Sequence, residues 1–218
     1  MASGRAVSLA VGVGLACMAA TLVVCAQNPL PETHSHYIQS LEDPMRANWQ
    51  DPEEVVVRLG LRPGDSVADL GAGSGYFTLR FARAVGPTGK VYAIDILPEM
   101  LDYIRRRAQN EGIKNIQLVP AQPHDPQLPP ASVDMIFICD TLHHISERPT
   151  YYPLLAKALR PGGRLVNIDF QKKPLPFGPP LAMKIDKPAM IEEAKSAGFH
   201  VVQVFDFLPY QYFLIFQQ

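Results

Sequence analysis

Three kinds of residue in this sequence have the chemistry and the spacing to act together: alternate glycines, carboxylates at strand ends and a pair of histidines. In Val67-Ala68-Asp69-Leu70-Gly71-Ala72-Gly73-Ser74-Gly75-Tyr76-Phe77, residues of strand character end at an acid, and three glycines then lead into a helical pattern. Glycine accepts positive φ and lets the backbone approach a ligand that a Cβ would block. The spacing is G-x-G-x-G, whereas a dinucleotide site uses G-x-G-x-x-G with a helix N-terminus aimed at pyrophosphate. Asp69, two places before Gly71, suits a phosphate-free ligand with positive charge. Asp95 closes a second strand 20 residues after Gly75, where an α/β nucleotide fold places the acid for ribose hydroxyls. The competing reading makes Asp95 only a cap for the next helix. Asp140, His143 and His144 leave a fourth strand. An imidazole titrates near neutrality, so either histidine could take a proton. Alternatively, one packs under the following helix and the other is exposed.

Strands and helices must alternate to bring these residues to one end of a sheet. Strands are expected at Ser66–Leu70, Lys90–Ile94, Asn115–Val119, Val133–Cys139 and Arg164–Phe170. Asp51 as cap, Pro52 in the first turn and Glu53-Glu54 open a helix that Leu61-Arg62-Pro63-Gly64 ends. Phe77, Phe81, Ala84 and Val85 mark an amphipathic helix stopped by Gly86, and Leu101, Ile104 and Ala108 another stopped by Gly112. A helix from about Pro149 ends at the turn Leu159-Arg160-Pro161-Gly162-Gly163, and a last helix runs from near Pro188 to Gly198. Two aromatic strands near Val201–Phe207 and Gln211–Phe216 are joined by only Leu208-Pro209-Tyr210, which forces an antiparallel hairpin. The fold class expected is α/β: a single Rossmann-like three-layer domain with a mostly parallel seven-stranded sheet ending in that hairpin.

With those segments in that order, residues 53–218 resemble the class I S-adenosylmethionine-dependent methyltransferases, and the glycine loop matches their first motif. The resemblance implies S-adenosyl-L-methionine as cofactor, whose methionine ammonium, carboxylate and sulfonium suit Asp69 beside the amides of Gly71, Gly73 and Gly75. It implies Asp95 at the ribose and Ile96 and Met100 beside the adenosine. The segment Val119-Pro120-Ala121-Gln122-Pro123-His124-Asp125 departs from the family's usual Gly-Asp-Ala-like turn and leaves Gln122 and Asp125 as polar candidates near the adenine. Asp140 could meet the methionine ammonium, and His143 could act as general base toward a small-molecule acceptor. Residues 171–187 are expected to shape the choice of acceptor.

Composition narrows the alternatives. A formal charge of −1 gives no electrostatic case for nucleic acid. Outside the first 26 residues Cys139 is the only thiol, so no Cys-based metal site is expected. The pair His34-x-His36 lacks further ligands at metal spacing, and residues 27–50 read as a solvated leader in which Asp43–Gln50 could form a lid and Trp49 cap the core. Arg5, the apolar run Ala6–Val24 and Val24-Cys25-Ala26 read as an export signal cleaved before Gln27. The competitors are an uncleaved membrane anchor and a lipoprotein modified at Cys25. Residues 1–26 are thus expected to be a signal or anchor, 27–52 an extension or lid and 53–218 the catalytic domain. The protein would be exported, periplasmic or secreted, or else membrane-anchored, with contact to a membrane only through residues 1–26. Two other functions compete: a nicotinamide-dependent oxidoreductase, which the glycine spacing disfavours, and a non-catalytic cofactor-binding protein of the same fold.

Overall fold

The computed structural model describes Met1 and residues 32–218, with side chains from His36 onward. The expected leader over residues 1–26 therefore lies, Met1 apart, outside the described residues.

The chain opens with α1 (Glu32–Leu41), a 3₁₀ turn (Pro44–Arg46) and α2 (Ala47–Gln50). This corrects the reading of a solvated leader, because Ile38 and Gln50 are buried and Trp49 is half-buried. Helix α3 (Pro52–Leu59) follows, with Pro52 in its first turn and Gly60 closing it at φ 58°. Asp51 does not cap α3 through its carboxylate as expected. It takes a left-handed conformation (φ 41°), and its carbonyl oxygen accepts the Val55 N–H at 2.9 Å.

Then come β1 (Ser66–Leu70), α4 (Thr78–Ala84), β2 (Lys90–Asp95), α5 (Pro98–Asn110), β3 (Ile116–Pro120) and β4 (Val133–Cys139). A 3₁₀ turn (Leu142–His144) leads to α6 (Arg148–Ala158), β5 (Leu159–Phe170), α7 (Lys187–Ser196), β6 (His200–Phe205) and β7 (Gln211–Gln217). The sheet has seven strands in the order β3-β2-β1-β4-β5-β7-β6. Only β7 is reversed, pairing antiparallel with both β5 and β6. The expected α/β sheet and terminal hairpin are both present.

β3 and β6 are shifted by one or two residues from their expected bounds, and β6 ends at Phe205, but the start of β5 differs more. The stretch Leu159–Gly163 was expected as a turn before the strand, yet Leu159 already pairs with Val133, and pairing resumes with Arg164 opposite Met135. The longer side bulges between them, with Gly162 at φ 76°.

Alternation along the strands builds a core on each face. Met135, Phe137, Val166, Ile168, Phe213 and Ile215 pack on one side with Val55 and Leu59 of α3 and Phe81 of α4. Ile136, Ile138, Leu165, Leu214 and Phe216 pack on the other with Leu155 of α6 and Met190 and Ala194 of α7. Strand order reverses between β1 and β4, so their carboxyl ends border a crevice, and the glycine loop, Asp140 and the histidines all leave the sheet there.

Candidate functional site

The loop after β1 is held by its glycines. Gly71, Gly73 and Gly75 have φ of 77°, 52° and 81°, a region that L side chains rarely adopt. A Cβ on Gly71 would stand 2.1 Å from Thr141 Oγ1, so the loop and the exit of β4 are in direct contact. Asp95 tethers the same loop: Oδ2 accepts the Gly73 N–H at 2.8 Å and Oδ1 the Leu97 N–H at 2.9 Å. It thus orders the start of α5 and the glycine loop together, and each oxygen keeps a further lone pair. Ile96 beside it is 59% exposed at the mouth. Gln122 is also exposed, its backbone closed into a tight turn with Asp125 through paired bonds of 2.9 and 3.1 Å.

Two carboxyls in this region titrate far from their usual range, Asp69 buried and Asp140 half-buried. Asp69 accepts the Thr78 hydroxyl at 2.5 Å, and burial, partly offset by that bond, lifts its pKa to about 7. Asp140 has φ 53° and accepts the Gln211 amide at 2.7 Å. Burial first, then the neighbouring Asp169 charge, lifts Asp140 to about 7 as well. Neither has an ion-pair partner among the described residues. Burial also pushes the Cys139 thiol well up, which makes it a poor nucleophile.

The histidines divide as one of the two readings had it. His143 is the packed one: its side chain is 3% exposed, and Nδ1 lies 2.8 Å from Oδ1 of the fully buried Asp169. His144 lies tilted against it with ring centroids 4.2 Å apart and is itself exposed. The structure therefore gives His143 a desolvated pocket rather than a place on an open wall.

The N-terminal segment closes over the loop. Leu41 Cδ1 would be 3.1 Å from a Cβ on Gly73, and Glu42 accepts both Ser74 Oγ and Arg107 Nη1 at 2.6 Å. Arg46 lies over the Tyr76 ring at 4.1 Å and donates to Gln50 Oε1 at 3.3 Å. Gln50 donates to Gln211 at 2.6 Å, and Gln211 in turn donates to Asp140. A chain of two buried amides thus joins the extension to the end of β4. Beside it Trp49 meets Phe170, Phe177 and Tyr210 at centroid distances of 5.6, 5.8 and 6.3 Å, forming an aromatic wall.

A family model described as a methyltransferase domain matches residues 61–208. The chain belongs to this methyltransferase family. It is 35% identical over 127 residues to the ubiquinone/menaquinone biosynthesis C-methyltransferase UbiE of Ectopseudomonas mendocina, covering 58% of this chain and 48% of that protein. The corresponding protein of Salmonella arizonae is 36% identical over 128 residues, covering 58% and 50%. The chain spans about half the length of the curated relatives it matches. A crystal structure of a SAM dependent methyltransferase from Aquifex aeolicus shares 31% identity and superposes with a TM-score of 0.79, covering 83% of this chain and 96% of that one.

The methyltransferase uses S-adenosyl-L-methionine, and the nicotinamide-dependent alternative is set aside. The residues present fit that cofactor: glycines keep Cβ atoms off the loop, and two carboxyls, Asp69 buried and Asp140 half-buried, without a cationic partner among the described residues suit a sulfonium and an ammonium. The same carboxyls fix the sign of a pH effect. A carboxyl raised in the folded state makes that state hold more protons than the unfolded chain between about pH 4 and 7, so stability falls as pH rises through that window. The unligated methyltransferase should melt at a higher temperature near about pH 5.5 than near about pH 8, and added cofactor should raise the melting temperature more at the higher pH, where the carboxylates are ionised. Identical cofactor-induced shifts at both pH values would show that these groups do not meet the cofactor's charge.

Several participants were not singled out in the sequence. Asp169 was the readable one, since Asn167-x-Asp169 places two polar residues on one face of an otherwise apolar strand. Gln211 looked like an ordinary strand start, and Arg46 and Gln50 sat in a segment without periodicity. Their roles depend on contacts 71 and 161 residues apart along the chain.

Proposed function

We propose that the chain transfers a methyl group from S-adenosylmethionine to a ring carbon of a small, electron-rich aromatic acceptor of the hydroquinone type. The observation that carries this is the aromatic wall of Trp49, Phe170, Phe177 and Tyr210 beside the exit of β4. A flat ring finds offset and edge contacts there. The C-methyltransferases of quinone biosynthesis among its relatives point the same way.

The site residues take these roles. The amides of the Gly71–Gly75 loop and the carboxylates of Asp69 and Asp140 hold the methionine end, Asp95 accepts the ribose hydroxyls, and Ile96 and Gln122 border the adenosine. When bound, the cofactor supplies an electrophilic methyl on a sulfonium. Asp169 holds Nδ1 of His143, which fixes the tautomer and leaves Nε2 to accept a proton from the acceptor ring. The extension, linked through Arg46, Gln50 and Gln211, keeps water out and orients the acceptor, and much of the acceleration comes from that positioning.

A panel of hydroquinones, phenols, thiols and amines incubated with methyl-labelled cofactor tests the reading. The label should appear on a ring carbon, resolved by NMR of the product. Label found only on oxygen, sulfur or nitrogen would refute the assignment of the acceptor atom.

A further inference from the structure

We infer that the mouth of the crevice is a docking surface for an anionic lipid bilayer, with the β5–α7 loop (residues 171–186) inserted at the interface. This goes beyond the proposed reaction and does not depend on which acceptor is methylated.

The exposed apolar side chains are not scattered. Among the described residues, ten large hydrophobic side chains are exposed: Met1, Val57, Val202 and Val204, and six others on segments around the crevice. Those six are Tyr37 and Met45 of the N-terminal extension, Ile96 after β2, and Phe177, Leu181 and Met183 of the loop. Scattered apolar residues need no explanation, but a group gathered at one mouth does. Phe177, Leu181 and Met183 are 45%, 48% and 38% exposed within seven residues of chain.

The loop is built to hold them out. Phe177 is stacked on Trp49 with an interplanar angle of 13°, and buried Lys184 anchors the base by donating to the Lys173 carbonyl at 2.9 Å. Pro174, Pro176, Pro179 and Pro180 have no N–H, which lowers the cost of taking this backbone toward a low-dielectric interface. Among the described residues no helix is long and apolar enough to cross a membrane, so the contact is interfacial.

Charge selects the partner. Lys184 is buried, so the charge presented here comes from Lys172, Lys173 and Lys187 against Asp186 and Asp206, a formal +3 − 2 = +1 in a chain whose total is −1. Lys187 faces Asp206 at 3.5 Å, while Lys172 and Lys173 are exposed, with no ion-pair partner among the described residues. Anionic headgroups complement that collar around an apolar tip. A second copy of the chain in a two-fold contact would set the same lysines against each other.

Trp49 is the sole tryptophan and touches the loop, so it reports on this face directly. The full chain is mixed with vesicles of phosphatidylglycerol and phosphatidylcholine bearing brominated acyl chains, which quench tryptophan at the bilayer surface. Trp49 should be quenched, and Leu181→Ser/Met183→Ser and Lys172→Glu/Lys173→Glu should each weaken the quenching titration by about tenfold. Cofactor affinity should stay unchanged in both variants, which shows that they are folded. Vesicle binding without quenching of Trp49 would mean that residues outside this face carry the protein to the bilayer, and would overturn the proposal. So would absence of vesicle binding, equal quenching by pure phosphatidylcholine vesicles, or self-association that the same substitutions abolish.

Discussion

His143→Gln is expected to lower methyl transfer by about 10²–10⁴-fold while cofactor affinity is unchanged. The imidazole at the β4 exit has its orientation fixed from behind, by the 2.8 Å contact of Nδ1 with Asp169. Asp169→Asn should cut the rate in the same direction, because an amide in place of the carboxylate favours the wrong tautomer. His144→Gln should do less, since that ring is exposed and holds no carboxylate among the described residues. Single-turnover rates with the accepted substrate decide it. Equal rates in wild type and His143→Gln would mean that the acceptor arrives already nucleophilic and that the methyltransferase only positions it.

Asp95→Ala is expected to weaken S-adenosylmethionine binding by about 1.5–3 kcal/mol, the usual loss for hydrogen bonds to a charged group. That is roughly 10–150-fold in dissociation constant. Part of the loss is indirect, because the carboxylate also receives the Gly73 and Leu97 amides and so holds the loop in its ligand-ready shape. Circular dichroism should show the fold intact. An unchanged dissociation constant would reduce Asp95 to a structural tether between the loop and α5.

Local signals made most of the fold legible. The glycine loop, the acids near the strand ends and the short link before Gln211 each state a backbone requirement within a few residues, and the hairpin forms as expected although β6 stops at Phe205 and the link is residues 206–210. What sequence reading missed depends on contacts that local pattern does not encode. Residues 32–50 carry weak periodicity yet fold as helices, because Ile38, Gln50 and Trp49 gain tertiary partners. The Leu159–Gly163 stretch looks like a turn by its Pro and Gly residues, but the bulge lets the strand begin earlier, opposite Val133. At the site, His143 and Asp140 were readable as residues leaving a strand. That His143 is packed against Asp169, 26 residues further along, required the sheet register. The burial of Asp69 and the half-buried place of Asp140 were not readable either, and desolvation moves the titration of both toward neutrality.

Isothermal titration of the protein with S-adenosylmethionine and, separately, with NAD tests the central claim most directly. A G-x-G-x-G loop tethered by Asp95, beside the carboxyls of Asp69 and Asp140, should bind S-adenosylmethionine tightly with one site per chain, with NAD binding far weaker or undetectable. Tighter binding of NAD, or no heat with S-adenosylmethionine, would contradict the account.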